Sequence, residues 1–236
     1  MTAITASPDL TAWQPRPVPA KAILPGTGVR LEPLNASRHA ASLFQAAEGP
    51  GADPMLWEYL AYGPFGTEAA FAAWLRDRED LDDPRFFAVV DQQTGQAEGI
   101  VSYLRIRAAD GSIEIGHIWF GAALQQTTKA TEAIFLLARH AFDGLGYRRL
   151  EWKCNALNAR SARAAERFGF VFEGVFRQDG VYKGRNRDTA WYSMLDSEWP
   201  VNKAAFEAWL APDNFDAAGR QRRSLSTLRG GATVAS

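Results

Sequence analysis

The strongest hydrophobic period in the chain is helical. Ala130, Ala133, Ile134, Leu137, Ala138, Ala141 and Phe142 recur at i, i+3, i+4, i+7, i+8, i+11 and i+12. Gly144 and Gly146 offer this helix its C-terminal stop. Just upstream, residues 113–120 read I-E-I-G-H-I-W-F, a mostly buried strand, and the polar run 125–129 joins strand to helix. Earlier in the chain, V-R-L-E-P at 29–33 alternates as a strand does, and Asn35 is placed to cap a helix over 37–47. Trp57, Tyr59, Leu60, Tyr62 and Phe65 cluster in a segment broken by Gly63, Pro64 and Gly66. Thr67 opens a second helix carrying Phe71, Trp74 and Leu75. Segments 85–91, 97–107 and the strand from 113 are linked by short turns at 92–95 and 108–111, which predicts an antiparallel meander.

After the central helix, R-L-E-W-K-C at 149–154 reads as a strand. A loop at 155–158 leads into a short helix holding Ala162, Ala165, Glu166 and Phe168, which stops at Gly169-Phe170. Two more strands are predicted at 170–177 and 189–195, with 178–188 between them as a polar loop bearing Lys183, Arg185 and Arg187. A last amphipathic helix covers 203–210, ahead of a tail with Arg220, Arg222, Arg223 and Arg229. Five prolines among residues 1–28 mark an extended arm. The expected organisation is an arm over 1–28, one domain over 29–199, and a C-terminal helix with a basic tail over 200–236. Strands before and after inserted helices give an α+β class, a mostly antiparallel sheet flanked by helices.

Composition narrows the function. With 47% hydrophobic residues in 236, there is material for one sizeable core. A formal net charge of −1 sets up no global field for nucleic acid or an anionic membrane. One cysteine excludes an internal disulfide framework, and three scattered histidines argue against a zinc centre. No run approaches the ~20 apolar residues that span a bilayer. These features fit a soluble, cytoplasmic protein with no metal and no membrane partner.

The candidate chemistry lies at the strand–helix junction. A helix N-terminus leaves about four N–H groups unpartnered and carries roughly half a positive charge. The stretch Gln126, Thr127, Thr128, Lys129, Ala130 and Thr131 would turn those donors towards a phosphate or pyrophosphate. Threonines that cap their own backbone are the plainer alternative. There is no G-x-x-x-x-G-K-[ST] and no G-x-G-x-x-G after a strand, which argues against a P-loop enzyme and a dinucleotide dehydrogenase. Cys154 sits on a strand with no histidine near it in sequence, a buried small hydrophobe rather than a nucleophile.

Two motifs, correctly ordered and spaced within about 60 residues, then carry a resemblance. The first is Gln125-Gln126-Thr127-Thr128-Lys129-Ala130 with A-T-E-A following from Ala130. It is similar to the Q/R-x-x-G-x-G/A signature of GNAT acyltransferases. The second is N-A-L-N-A-R-S-A-R-A-A-E-R-F-G-F at 155–170, then E-G-V-F-R. It resembles the N-x-x-S helix of the branch containing ribosomal-protein N-terminal-alanine acetyltransferases. Thr128 departs from the pattern, standing where the family has its first glycine.

The resemblance implies a GNAT fold and direct acyl transfer from acetyl-CoA or another short acyl-CoA to an amine. It implies that the strand before the turn splays from its neighbour, with Ile118, Trp119 and Phe120 offering backbone groups to the pantetheine arm and the reacting oxyanion. The pyrophosphate would lie on residues 126–131. Ser161 matches the serine that protonates the leaving thiolate, and Asn158 the asparagine that contacts the cofactor arm and also caps its helix. Glu114 is the candidate base through a water, or else an exposed strand carboxylate in a cross-strand ion pair. Strict alternation puts His117, a second-choice base, on the opposite face from Glu114. Tyr182 and Tyr192 are weaker acid candidates. The acceptor amine, a protein N-terminus or a small molecule, would be chosen by residues 57–66 and by the loop cations, which could meet an acidic acceptor. A homodimer is compatible with this picture. Competing readings are a non-catalytic acyl-CoA-binding module and, less favoured, nucleic acid binding through the C-terminal arginines.

Overall fold

The computed structural model describes residues 9–230. The first eight residues of the arm and the last six of the tail lie outside it. Eight strands form one sheet: β1 (Leu24–Pro25), β2 (Val29–Pro33), β3 (Arg85–Asp91), β4 (Ala97–Arg107), β5 (Ser112–Phe120), β6 (Arg149–Asn155), β7 (Val171–Tyr182) and β8 (Arg185–Leu195). Their order is β1-β2-β3-β4-β5-β6-β8-β7. Every pairing is antiparallel except β5 with β6, which run parallel because a helix crosses between them.

Helices cover both faces. On one face, called the front here, α1 (Ala36–Glu48) and α2 (Glu68–Glu79) pack Leu43, Phe71 and Trp74 against Phe86, Ile100 and Trp119 of the sheet. On the back, α3 (Thr128–Arg139) and α5 (Trp199–Leu210) bury Ile134, Leu137 and Phe206 against Phe87, Tyr103, Ile113, Ile115 and Trp152. Side chains alternate along a strand, so Phe86 and Phe87 feed different cores. α4 (Ala159–Phe168) follows β6 and ends at Gly169, whose φ of 94° is the left-handed C-terminal stop that its sequence suggested. Asn35 and Thr67 cap α1 and α2 with their side chains, as expected.

Two elements, the 178–188 segment and the arm, differ from expectation. The predicted loop 178–188 is strand: β7 and β8 run into a tight hairpin at Lys183 and Gly184, whose φ values of 50° and 72° suit a two-residue primed turn. Polar residues at an exposed sheet end look like loop residues by composition. The central helix passes through a π turn over His140–Gly144 and ends at Gly144, one of the two glycines expected to stop it. The arm contributes β1, and its Trp13 indole donates to the Ala109 carbonyl. The C-terminal arginines fold back: Arg220 pairs with Asp216, and Arg229 donates to the carbonyls of Arg167 and Glu166.

Candidate active site

The sheet opens between β5 and β6. Pairing runs from Ser112↔Arg149 to Ile115↔Trp152 and then ceases, although β6 continues to pair with β8 as far as Asn155↔Thr189. Residues 116–120 of β5 and 153–155 of β6 therefore line a gap. The cause is local. On β4 one residue separates Ile100 from Ser102, but on β5 two, His117 and Ile118, separate Trp119 from Gly116. His117, at φ 50°, is the extra residue of a bulge, and a bulge bends its strand.

That bulge corrects the alternation argument. Glu114 pairs opposite Leu104 on the front, and the His117 ring also lies on the front, 5.6 Å from the Tyr62 ring and 4.9 Å from that of Phe86. The two candidate bases share a face because the inserted residue resets the phase. Burial pushes the His117 imidazole down to about 4, with Arg105 and Arg78 adding to the effect, so the ring is neutral near pH 7.

The backbone beyond the bulge divides its donors. The Gly121 N–H donates to the Glu98 carbonyl at 2.7 Å, which makes Glu98/Gly121 and Ile100/Trp119 the bonded pairs of the β4–β5 ladder. Ile118 and Phe120 consequently turn their peptide groups to the gap, where the Phe120 carbonyl accepts from Gln125 Nε2 at 2.8 Å. Trp119 is corrected: its peptide serves β4, and its indole is buried in the front core against Trp57.

At the far end of the gap, Thr127 caps α3. Its hydroxyl donates to the Leu124 carbonyl at 2.7 Å and accepts from the Ala130 N–H at 3.3 Å. The N–H groups of Thr128 and Lys129 are left without intrahelical partners. Gln126 holds the tight turn at φ 59°. Thr128 is exposed and helical, so this position makes no backbone demand that only glycine meets. Two polar side chains of this stretch are spent elsewhere. The Lys129 ammonium pairs with Asp91, and the Thr131 hydroxyl is buried and accepts from Arg167 Nη1 at 3.1 Å. Both tether the helix rather than face the gap. Glu132 tethers it more strongly, accepting from the N–H groups of Thr27, Gly28 and Val29 at 2.5, 2.8 and 3.0 Å.

On the β6 side, Asn158 caps α4 by accepting from the Ser161 N–H at 3.1 Å. The Ser161 hydroxyl accepts from the Trp152 indole at 3.0 Å, which leaves its own proton available. Cys154 is beside it, buried and free, its thiol pushed up by burial and partly offset by Ser161. Tyr192 is buried on the back near Cys154, and burial raises its phenol. Tyr182 lies near the hairpin tip under the Arg187 guanidinium.

Glu114 is not an exposed carboxylate. It is 3% exposed, and its Oε2 meets Arg105 Nη1 and Lys153 Nζ, each at 2.8 Å. Lys153 also pairs with Glu151 at 2.8 Å and lies 3.6 Å from the centre of the Trp191 ring. Burial pushes the Glu151 carboxyl up, but Arg149 and Lys153 outweigh it and hold the group at about 2. Glu114 Oε1 is turned towards Gly116, where the bulge begins. Lys153 and Arg105 join the site without having been expected there. The signal was present, because Arg105 and Arg107 on one strand and Glu151 and Lys153 on another alternate with apolar residues and so share a face.

Residues 53–66 strap across the front. Trp57 and Tyr62 pack on Trp119 and His117. The Tyr59 hydroxyl donates to the Leu157 carbonyl at 3.2 Å, and Asp53 pairs with Arg160 of α4 at 2.9 Å. The hairpin tip holds the same strap: Lys183 Nζ donates to the Trp57 carbonyl at 2.7 Å, and Arg185 pairs with Glu58 at 2.8 Å. Arg187 Nε donates to Thr189 Oγ1 at 3.0 Å. Each of these three cations thus has a partner within the chain.

A meander, a bulged strand splaying from a parallel neighbour, and a helix N-terminus at the mouth of the gap define an acyltransferase scaffold. Residues 29–171 match the family model described as acetyltransferase (GNAT) domain, and the chain belongs to that family. A GCN5-related N-acetyltransferase from Brucella melitensis is similar at 50% identity and TM-score 0.91, over 94% of this chain and 100% of that one. A Chromobacterium violaceum structure assigned to the GNAT family is 46% identical with TM-score 0.77, over 85% and 99%. YdaF of Bacillus subtilis, which carries a provisional ribosomal N-acetyltransferase name, is 29% identical over 73% of this chain and 92% of its own length. Among the described residues no helix is long and apolar enough to cross a membrane.

Proposed function

We propose that this protein is an N-acyltransferase, acting first of all with acetyl-CoA, that passes the acyl group directly to a primary amine of a protein N-terminus or a small molecule. The observation that carries the reading is the gap at Gly116, bounded by the N-termini of α3 and α4 at its two walls. Acyl-CoA would supply an activated thioester, which needs a polarised carbonyl and a protonated leaving sulfur. The free N–H groups of Thr128 and Lys129 suit its pyrophosphate. The gap-facing peptides of Ile118 and Phe120 suit the pantetheine arm and the developing oxyanion. Asn158 borders the arm, and the Ser161 hydroxyl keeps a proton to give to the sulfur. Glu114 Oε1 takes the amine proton through a water, while Arg105 and Lys153 fix the other oxygen. The sole thiol, Cys154, is buried and free, as suits the cytoplasm.

The test follows free thiol release from acetyl-CoA across a panel of amines and N-terminal peptides. Turnover on at least one amine is expected. Ser161→Ala should lower kcat while acetyl-CoA affinity holds, and Glu114→Gln should lower turnover most at low pH, where the amine is protonated. Tight CoA binding without turnover on any amine would replace the enzyme by a binding module.

A further inference from the structure

Buried arginines are usually matched by carboxylates, as Arg85 is by Asp82 and Arg149 by Glu151 and Glu173. Two arginines on the back of this molecule are not. Arg167 lies in the last turn of α4 and Arg229 in a short C-terminal helix, α6 (Leu225–Gly230). Both are half-buried, and among the described residues neither pairs with a carboxylate. Arg229 donates to the carbonyls of Arg167 and Glu166 at 2.6 and 3.0 Å and so closes the end of α4. Arg167 donates one N–H, to Thr131 Oγ1 at 3.1 Å, and a guanidinium carries five. Its guanidinium carbon is 4.8 Å from the centre of the Trp209 ring and 5.1 Å from that of Phe168, so two aromatic faces fix its position. Burial pulls Arg167 down from its ordinary pKa, and the charge of Arg229 pulls it further. Two cations in one another's field, partly removed from water, destabilise each other until an anion joins them.

The place of Arg167 points to which anion. Thr128 and Thr131 are three residues apart on α3 and so share one of its faces. A guanidinium bonded to Thr131 therefore stands about one helical turn along α3 from the unpartnered N–H groups of Thr128 and Lys129. We infer that Arg167 receives the ribose 3′-phosphate of CoA, with Arg229 strengthening the positive field behind it. The inference rests on the reading that acyl-CoA is the donor, and it divides the nucleotide between two kinds of group. Main-chain N–H groups at the start of α3 take the pyrophosphate, and a side chain of α4 takes the phosphate one sugar further on. A terminal phosphate carries about −1.5 to −2 charges near pH 7 and offers three acceptor oxygens. The planar fork of an arginine meets two of those oxygens at once. Arg167 is thus a specificity residue, separating CoA from the same nucleotide without its 3′-phosphate, and it has no part in acyl transfer.

The test is calorimetric titration of the full chain with CoA and with dephospho-CoA, alongside thermal unfolding. The wild type should bind CoA more tightly by roughly tenfold or more. Arg167→Met should weaken CoA to the level of dephospho-CoA while dephospho-CoA affinity holds within about twofold. Arg167→Lys, which keeps the charge and loses the fork, should recover part of the difference. A wild type that binds the two nucleotides equally would overturn the assignment without any variant, and would leave the acyl-CoA reading standing. So would an Arg167→Met protein that loses both affinities alike, since Arg167 would then act only by holding Thr131 and α3 in place. A wild type that binds neither nucleotide would remove the donor itself, and the assignment with it.

Discussion

The two ends of the β5–β6 gap are made by different means. At the α3 end the useful groups are main-chain: a capped helix start, two unpartnered N–H groups and the gap-facing peptides of Ile118 and Phe120. Charged side chains there, Lys129 and Glu132, are turned away to hold the helix against β1–β3. At the end proposed for the acceptor nearly every charge has a partner in the chain, from Glu114, Lys153 and Glu151 on the sheet to Arg185 and Glu58 on the strap. A site for a constant cofactor can be fixed by backbone, whereas a site for one particular amine is shaped by tertiary ion pairs and packing.

Breaking the acceptor end should have the largest effect. Lys153→Met leaves Glu114 and Glu151 facing each other without their shared cation, and removing one member of a buried pair costs about 3–5 kcal/mol. Urea unfolding at pH 7.5 should show a loss of that order. A loss no larger than for an exposed lysine would mean that solvent already screens the pair.

Next comes His117. Its folded-state pKa of about 4 is below the ordinary 6.5, so the unfolded chain takes up the proton first on acidification. The stability tied to this neutral ring is fully present above pH 6.5 and is lost as pH falls towards 4, on the order of 3 kcal/mol. His117→Asn, which also tolerates positive φ, should flatten that part of the pH profile. An unchanged slope between pH 6.5 and 4 would assign the acid sensitivity elsewhere.

At the cofactor end, Glu132→Gln replaces the charged acceptor of three N–H groups. It should cost about 1–3 kcal/mol, and acetyl-CoA affinity should weaken with it as α3 loosens. Stability lost with affinity intact, by calorimetry, would separate the tether from the cofactor site.

The same contrast explains what could be read from sequence. The strand, turn and helix around residues 113–142 announce themselves because helical and strand periods are local, and Asn158 and Ser161 follow at a fixed spacing on one short helix. The bulge at His117 leaves no mark in composition, since one extra residue among apolar neighbours looks like any other, yet it sets the face of His117 and the opening of the gap. The outer half of the β7–β8 hairpin was illegible for another reason: a strand at an exposed end has the polarity of a loop. Lys183, Arg185 and Arg187 are visible as cations in the sequence, but their partners, the Trp57 carbonyl, Glu58 and Thr189, are fixed only by the fold.

In the proposed reading the start of α3 receives the pyrophosphate of acyl-CoA, and Thr128→Glu separates binding from folding there. A carboxylate in the first turn favours a helix by about 0.3–1 kcal/mol through its dipole, yet repels a pyrophosphate at the same N–H groups. Calorimetric titration of acetyl-CoA, alongside thermal unfolding, should show Tm unchanged or raised and Kd weakened by roughly tenfold or more, equivalent to about 1.4 kcal/mol. A Kd equal to that of the wild type, in a protein just as stable, would contradict the account.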